Sequence, residues 1–211
     1  MRSATPSYAI LGALAVACFG TTARAIDAAS VLLGTDAGEV IPASPPVDPA
    51  PVAAVRPFGA ADTWRLDVEA DWIADFADAD MGQFRVGVAW FFVEDFEMAL
   101  YATGAFVDQP GTDAGMFGAD LEFRWHFLKG DWWSIFASAG CGLAGSTSSV
   151  PAGGTNFNFT PSAGGGFTFD VTPDVRAYVS ARWFHISNAG TSTRNPGRDN
   201  LSLWVGLSFP L

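Results

Sequence analysis

Near its C-terminus the chain reads His185-Ile186-Ser187-Asn188-Ala189-Gly190. The polar loop Asn195-Pro196-Gly197-Arg198 follows and leads into a carboxylate, Asp199. A histidine and a serine two residues apart on a β-strand project side by side with Cα atoms about 6.5–7 Å apart, so an imidazole at 185 can reach a hydroxyl at 187. A carboxylate at the start of the neighbouring strand can accept the other ring N–H, fixing the tautomer and steadying the imidazolium. Ser187, His185 and Asp199 are therefore candidates for nucleophile, base and acid of an ester hydrolase. The side-chain amides of Asn188 and Asn195 and backbone amides around Ala189-Gly190 are candidate oxyanion donors. Arg194 and Arg198, in the loop above, are candidate contacts for an anionic substrate. Spacing alone reads equally well as polar residues on a loop rim, with Gly190 and Gly197 as turn residues.

The elements that would hold these groups are strands. From Trp64 onward the chain alternates with period two: Trp64, Leu66, Val68, Ala70 and Trp72 against Arg65, Asp67, Glu69 and Asp71. A second strand carries Phe84 to Phe92, a third Phe96 to Phe106 and a fourth Phe117 to Phe127. A fifth runs from about Trp132 to Leu143, and a glycine-rich sixth from about Phe157 to Phe169. The seventh alternates from Val175 to Trp183 and the eighth from Leu201 to Phe209, whose opposite face is read as polar or small. Apolar residues make up 49% of the chain and mean hydropathy is +0.23, although no segment reaches the eighteen or so apolar residues of a spanning helix. Membrane strands resolve that tension, because their hydrophobicity is spread over alternating segments. The fold expected is all-β: an eight-stranded antiparallel transmembrane β-barrel over 63–211, placed in a bacterial outer membrane.

Short connections at Glu94-Asp95, Lys129-Gly130 and Thr172-Pro173 belong on the periplasmic side. The other four are longer, with Gly145 to Asn156 read as the longest, so the loop after strand seven faces the exterior. Barrels of this size are filled by side chains. Asp67, Glu69, Asp71, Glu97, Asp120 and Glu122 are expected to pair inside with Arg65, Arg85, Arg124, Arg176 and Arg182, and His126 joins them. Trp64, Trp72, Trp90, Trp125, Trp133 and Trp183 point outward as interfacial anchors. By parity His185, Ser187 and Asp199 also point outward, where polar side chains are costly enough to suggest function.

The N-terminus reads as a secretory signal over 1–25, with Arg2, an apolar run from Tyr8 to Phe19 and cleavage after Ala23-Arg24-Ala25. Ala15-Val16-Ala17 before Cys18 lacks the large aliphatic residue of a lipoprotein site. Residues 26–62 are rich in proline and alanine and read as a disordered periplasmic linker. Eleven basic residues stand against 22 acidic ones, and the signal removes two of the former, which excludes an electrostatic footprint for nucleic acid. After cleavage Cys141 is alone, so no internal disulfide forms. No metal or cofactor motif is visible.

The stretch Arg182 to Leu211 resembles the C-terminal signature of the PagL family, the outer-membrane lipid A 3-O-deacylases. His185, Ser187, Asn188, Ala189 and Gly190 match its His-x-Ser-Asn-Ala-Gly core, and Asn195 and Gly197 fall at matching loop positions. The resemblance implies Ser187 as nucleophile, His185 as base and lipid A in lipopolysaccharide as substrate, attacked from the lipid-facing wall without a cofactor. The family's catalytic glutamate corresponds to Asp199, one methylene shorter. The chain also ends Phe209-Pro210-Leu211, without the terminal aromatic residue common in outer-membrane barrels. Two alternatives stand beside this reading: a non-catalytic barrel with a decayed hydrolase motif, and an esterase of other membrane lipids.

Overall fold

The computed structural model describes residues 56–211, so the signal over 1–25 and most of the linker over 26–62 lie outside the described residues. Eight strands succeed one another: β1 (Thr63–Ala74), β2 (Asp80–Val93), β3 (Phe96–Asp108), β4 (Ala114–Lys129), β5 (Trp133–Val150), β6 (Thr155–Asp170), β7 (Arg176–Ile186) and β8 (Arg198–Pro210). Each pairs antiparallel with the next, and β8 returns to β1, closing the barrel. Closure leaves no unpaired edge, which a sheet surrounded by lipid requires.

The alternation sorts residues as the sequence predicts. Arg65, Asp67, Glu69 and Asp71 of β1 are buried in the lumen while Trp64 and Trp72 are exposed. Three arginines organise the interior. Arg124 contacts Asp67 (3.0 Å), Glu69 (2.6 Å), Glu97 (3.1 Å) and Glu122 (2.9 Å). Arg85 contacts Glu69 and Glu122 and stands 3.7 Å from Asp71 and from Asp120. Arg182 contacts Asp71 (2.8 Å) and Glu122 (3.0 Å). Removing one member of such a buried pair costs about 3–5 kcal/mol, because the partner charge stays behind. The other two arginines depart from expectation. Arg65 bonds the Ser208 hydroxyl and the Asp174 carbonyl instead of an acid, and Arg176 takes Asp170 at 2.8 Å, since both lie below the central acids.

Three further differences from the sequence reading have physical causes. Trp204 falls on the face of β8 read as polar or small, yet it is buried in the lumen, stacked 5.9 Å from Tyr178 with Arg124 5.1 Å from its ring. A lumen this charged accepts an indole because its π face attracts guanidinium groups. Second, the segment expected as the longest loop is mostly strand, with β5 reaching Val150 and only Pro151 to Gly154 left as turn. Ser and Asn side chains support the extension by bonding backbone carbonyls, such as Asn156 Nδ2 to Ser146 O at 3.0 Å and Asn158 Nδ2 to Val150 O at 2.6 Å. The longest connection among the described residues is therefore Ser187 to Gly197, the one carrying the candidate site.

The third difference lies at residues 56–62, placed by composition in the linker, which cap one end of the barrel. Phe58 packs edge-on to Phe91 (5.1 Å) and His126 (5.0 Å) and lies 4.0 Å from the Arg176 guanidinium. Gly59 makes the turn possible. Its φ is +86°, and a Cβ there would collide with Asp95 Oδ1.

Candidate active site

Register brings the imidazole and the carboxylate together. His185 of β7 lies directly opposite Asp199 of β8, so their side chains leave the same face of the sheet with Cβ atoms about 5 Å apart. His185 Nδ1 and Asp199 Oδ1 are 2.8 Å apart. An ionised carboxylate only accepts, so Nδ1 carries the proton and Nε2 keeps a lone pair. Both side chains are on the outer wall, with 26% and 69% of their surface exposed.

Ser187 lies one residue beyond β7, although its spacing from His185 puts both on one strand in the sequence. It is still tied to the sheet. Its N–H donates to Phe159 O at 3.2 Å, and Phe159 N–H donates to Ser187 O at 2.7 Å. The same register sets Pro161 opposite His185, and proline has no N–H to continue the ladder, which interrupts it between the pairs Phe184–Ser162 and Ser187–Phe159. Paired residues share a face, so Ser187 points outward with Phe159. The residue is nevertheless only 8% exposed. Gly197 supplies part of the cover: at φ +46°, a Cβ there would stand 3.5 Å from His185 Cε1, 3.7 Å from Nε2 and 3.8 Å from Ser187 Cβ. Among the described residues no hydrogen bond joins Ser187 Oγ to Nε2. Contacts of this kind commonly tighten only when substrate binds.

The loop uses part of its bonding capacity on itself. Asn188 is buried; its Nδ2 donates to Arg194 O (2.7 Å) and its N–H to Asn195 Oδ1 (3.0 Å), stapling the two ends of the loop. The Gly190 N–H donates to Asn188 Oδ1 (3.0 Å) and the Thr191 N–H to Asn188 O (3.0 Å). With Ala189 at φ 52° and Gly190 at φ 77°, residues 188–191 have the left-handed pair of a type I′ turn. Of the candidate oxyanion donors, Asn188 Nδ2 and the Gly190 amide are thus engaged, while Asn195 Nδ2 and the Ala189 N–H have no partner among the described residues.

The two candidate arginines differ. Arg194 is exposed and offers only its carbonyl to the loop, whereas Arg198 stands 3.5 Å from Asp75 in the β1–β2 connection. Partial burial pushes the Asp75 carboxyl up, but the N–H groups of Ala77, Ala79 and Asp78, together with Arg198, outweigh it and hold the group below the usual carboxylate range. Among the described residues no group of three or more His, Cys, Asp or Glu is arranged to hold a metal ion.

One neighbour escaped the sequence reading. Trp183, expected only as an anchor, donates Nε1–H to Asp199 Oδ1 at 2.8 Å and stacks on the His185 ring at 5.7 Å and 25°. The signal was its position two residues before His185 and diagonal to Asp199 across the pair of strands.

Residues 77–208 match the family model described as "Lipid A 3-O-deacylase (PagL)". No curated protein matches the chain. Among solved structures, Neisserial surface protein A has 15% identity over 71% of this chain and 96% of its own, with a TM-score of 0.52. The outer membrane enzyme PagL has 23% identity over 69% of this chain and 99% of its own, with a TM-score of 0.48. The outer membrane protein OprG from Pseudomonas aeruginosa has 11% identity over 74% and 98%, with a TM-score of 0.47.

Proposed function

The chain belongs to the PagL family of lipid A 3-O-deacylases and is a bacterial outer-membrane protein, and from that premise we propose that Ser187, His185 and Asp199 hydrolyse the 3-O-acyl ester of lipid A on the outer wall of the barrel. Ser187 Oγ attacks the ester carbonyl as His185 Nε2 takes its proton. The tetrahedral oxyanion is met by Asn195 Nδ2 and the Ala189 N–H, the donors that the loop leaves free. Collapse expels the sugar 3-oxygen, which His185 reprotonates. Water, deprotonated by the same imidazole, then releases the fatty acid and regenerates Ser187. Asp199 keeps Nδ1 protonated throughout and stabilises the imidazolium. Arg194 is the better placed of the two arginines to meet a lipid A phosphate, because Arg198 already faces Asp75.

The observation that carries this reading is the 2.8 Å contact between His185 and Asp199 on the lipid-facing side. An acyl chain can meet that wall without leaving the bilayer. The shortened carboxylate suggests a decayed motif as the alternative; its contact with His185 supports the catalytic reading instead. The same reading takes residues 1–25 as a cleaved leader and the Pro/Ala-rich stretch after them as a periplasmic linker to the barrel.

The test is mass spectrometry of lipid A from cells expressing the wild type or Ser187→Ala. Loss of one 3-O-linked acyl chain with the wild type alone is expected; identical spectra would overturn the assignment. Purified glycerophospholipid offered in parallel distinguishes a general lipid esterase, which would cleave it in preference to lipid A.

A further inference from the structure

The carboxylate of the trio is exposed and short, and one side chain outside the trio holds it. Asp199 Oδ1 receives two hydrogen bonds of 2.8 Å, one from His185 Nδ1 and one from Trp183 Nε1. Among the described residues the carboxylate has no other partner. With 69% of its side chain exposed, packing alone does not fix its rotamer. Trp183 also covers one face of the imidazole, its ring lying 5.7 Å away and tilted by only 25°. β7 makes both contacts possible, since residues 183 and 185 project side by side while Trp183 pairs with Leu201 and His185 with Asp199.

We propose that Trp183 is a positioning residue for the hydrolysis: its indole N–H locks the short Asp199 carboxylate against Nδ1, and its ring sets the plane in which Nε2 faces Ser187. The inference rests on the ester-hydrolase reading of the trio. A glutamate at this position has an extra methylene with which to reach the ring. An aspartate reaches it from one rotamer, and the indole N–H selects that rotamer. Misplacement of a reacting group by about 1 Å costs up to about a hundredfold in rate. Trp183 is also an exposed aromatic residue at one end of a membrane strand, so the test must separate positioning from anchoring.

Full-length protein purified in detergent micelles is assayed on lipid A for released 3-O-acyl chains. Wild-type turnover is read first; its absence would overturn the hydrolase reading itself, an outcome distinct from failure of the positioning role alone. Trp183→Phe keeps an apolar ring at the membrane surface and removes the N–H. It is expected to lower kcat about tenfold and leave KM within about twofold. In an Asp199→Ala background the same substitution is expected to change kcat by less than about twofold, because the indole acts through the carboxylate. A kcat for Trp183→Phe within twofold of wild type, or the same tenfold loss persisting in Asp199→Ala, would overturn the proposal. A second measurement leaves residue 183 intact. The Trp183 indole N–H resonance in 15N-labelled protein is expected to move when Asp199 becomes alanine, and an unmoved resonance would overturn the proposal independently of folding.

Discussion

The chain has two histidines, and the barrel places one on each side of its wall. His126 lies in the lumen with both ring nitrogens engaged, Nδ1 with Ser134 Oγ at 2.9 Å and Nε2 with Glu97 at 3.3 Å, beneath the Phe58 ring. His185 lies on the outer wall with Nδ1 engaged by Asp199 and Nε2 without a partner among the described residues. The same contrast runs through the carboxylates. Glu122 is gripped by Arg85, Arg124 and Arg182, whereas Asp199 meets only N–H groups of an imidazole and an indole. Residue type does not separate structure from chemistry here. The partners that surround each ring and each carboxylate do.

The largest effect is expected from removing each histidine in turn. His185→Ala is expected to lower lipid A deacylation about 10⁴-fold or more while the barrel stays folded, since removal of a triad base has effects of that order. His126→Ala is expected to leave kcat within about threefold and to destabilise the barrel by about 1–3 kcal/mol, because Ser134 and Glu97 each lose a buried hydrogen bond. Parallel turnover assays and urea titrations from detergent check both. A large kcat loss with His126→Ala would mean that the lumen network reaches the site.

Two asparagines repeat the contrast within one loop. Asn195→Ala removes the free Nδ2 and is expected to lower kcat about 10²-fold with KM little changed, as for other oxyanion donors. Asn188→Ala removes the staples to Arg194 O and Gly190 N–H, and should register mainly as about 1–2 kcal/mol of stability and increased protease cleavage within 189–197. If the two effects were reversed, the oxyanion assignment would move to Asn188.

How much of this was legible in the sequence depends on which patterns are local. Period-two alternation with charge on one face set strand identity and lumen composition, because every second residue faces the same solvent. Trp204 and the extended β5 were not legible for the same reason: parity tells which face a residue occupies, not which neighbours will compensate it across a closed barrel. The His185–Asp199 contact was legible because a single loop joins the adjacent strands that carry the two residues. The Trp183 contact depends on the β7–β8 register and on the reach of an indole, and the cap made by Phe58 depends on a site assembled from β2, β4 and β7. Composition had assigned that phenylalanine to the linker, since proline and alanine around it dominate the average.

The smallest effect is expected at Ala189, and it asks whether the outer-wall site stores strain that the lumen does not. Ala189 holds φ 52° directly after the Ser187-Asn188 pair, a conformation costing a non-glycine residue about 1–2 kcal/mol. The Asn188 bonds to Gly190 and Thr191 hold it, and they leave the Ala189 N–H without a partner among the described residues. Glycine would adopt the same φ without the steric cost but would have more freedom to lose on folding. Ala189→Gly is therefore expected to raise stability by no more than about 1 kcal/mol. It is also expected to lower kcat about two- to fivefold, because a glycine lets the amide swing away from the oxyanion position. Thermal unfolding in micelles beside lipid A turnover measures both. A gain in stability with unchanged kcat would show that the Asn188 bonds alone fix the amide, and would leave Asn195 as the donor that matters.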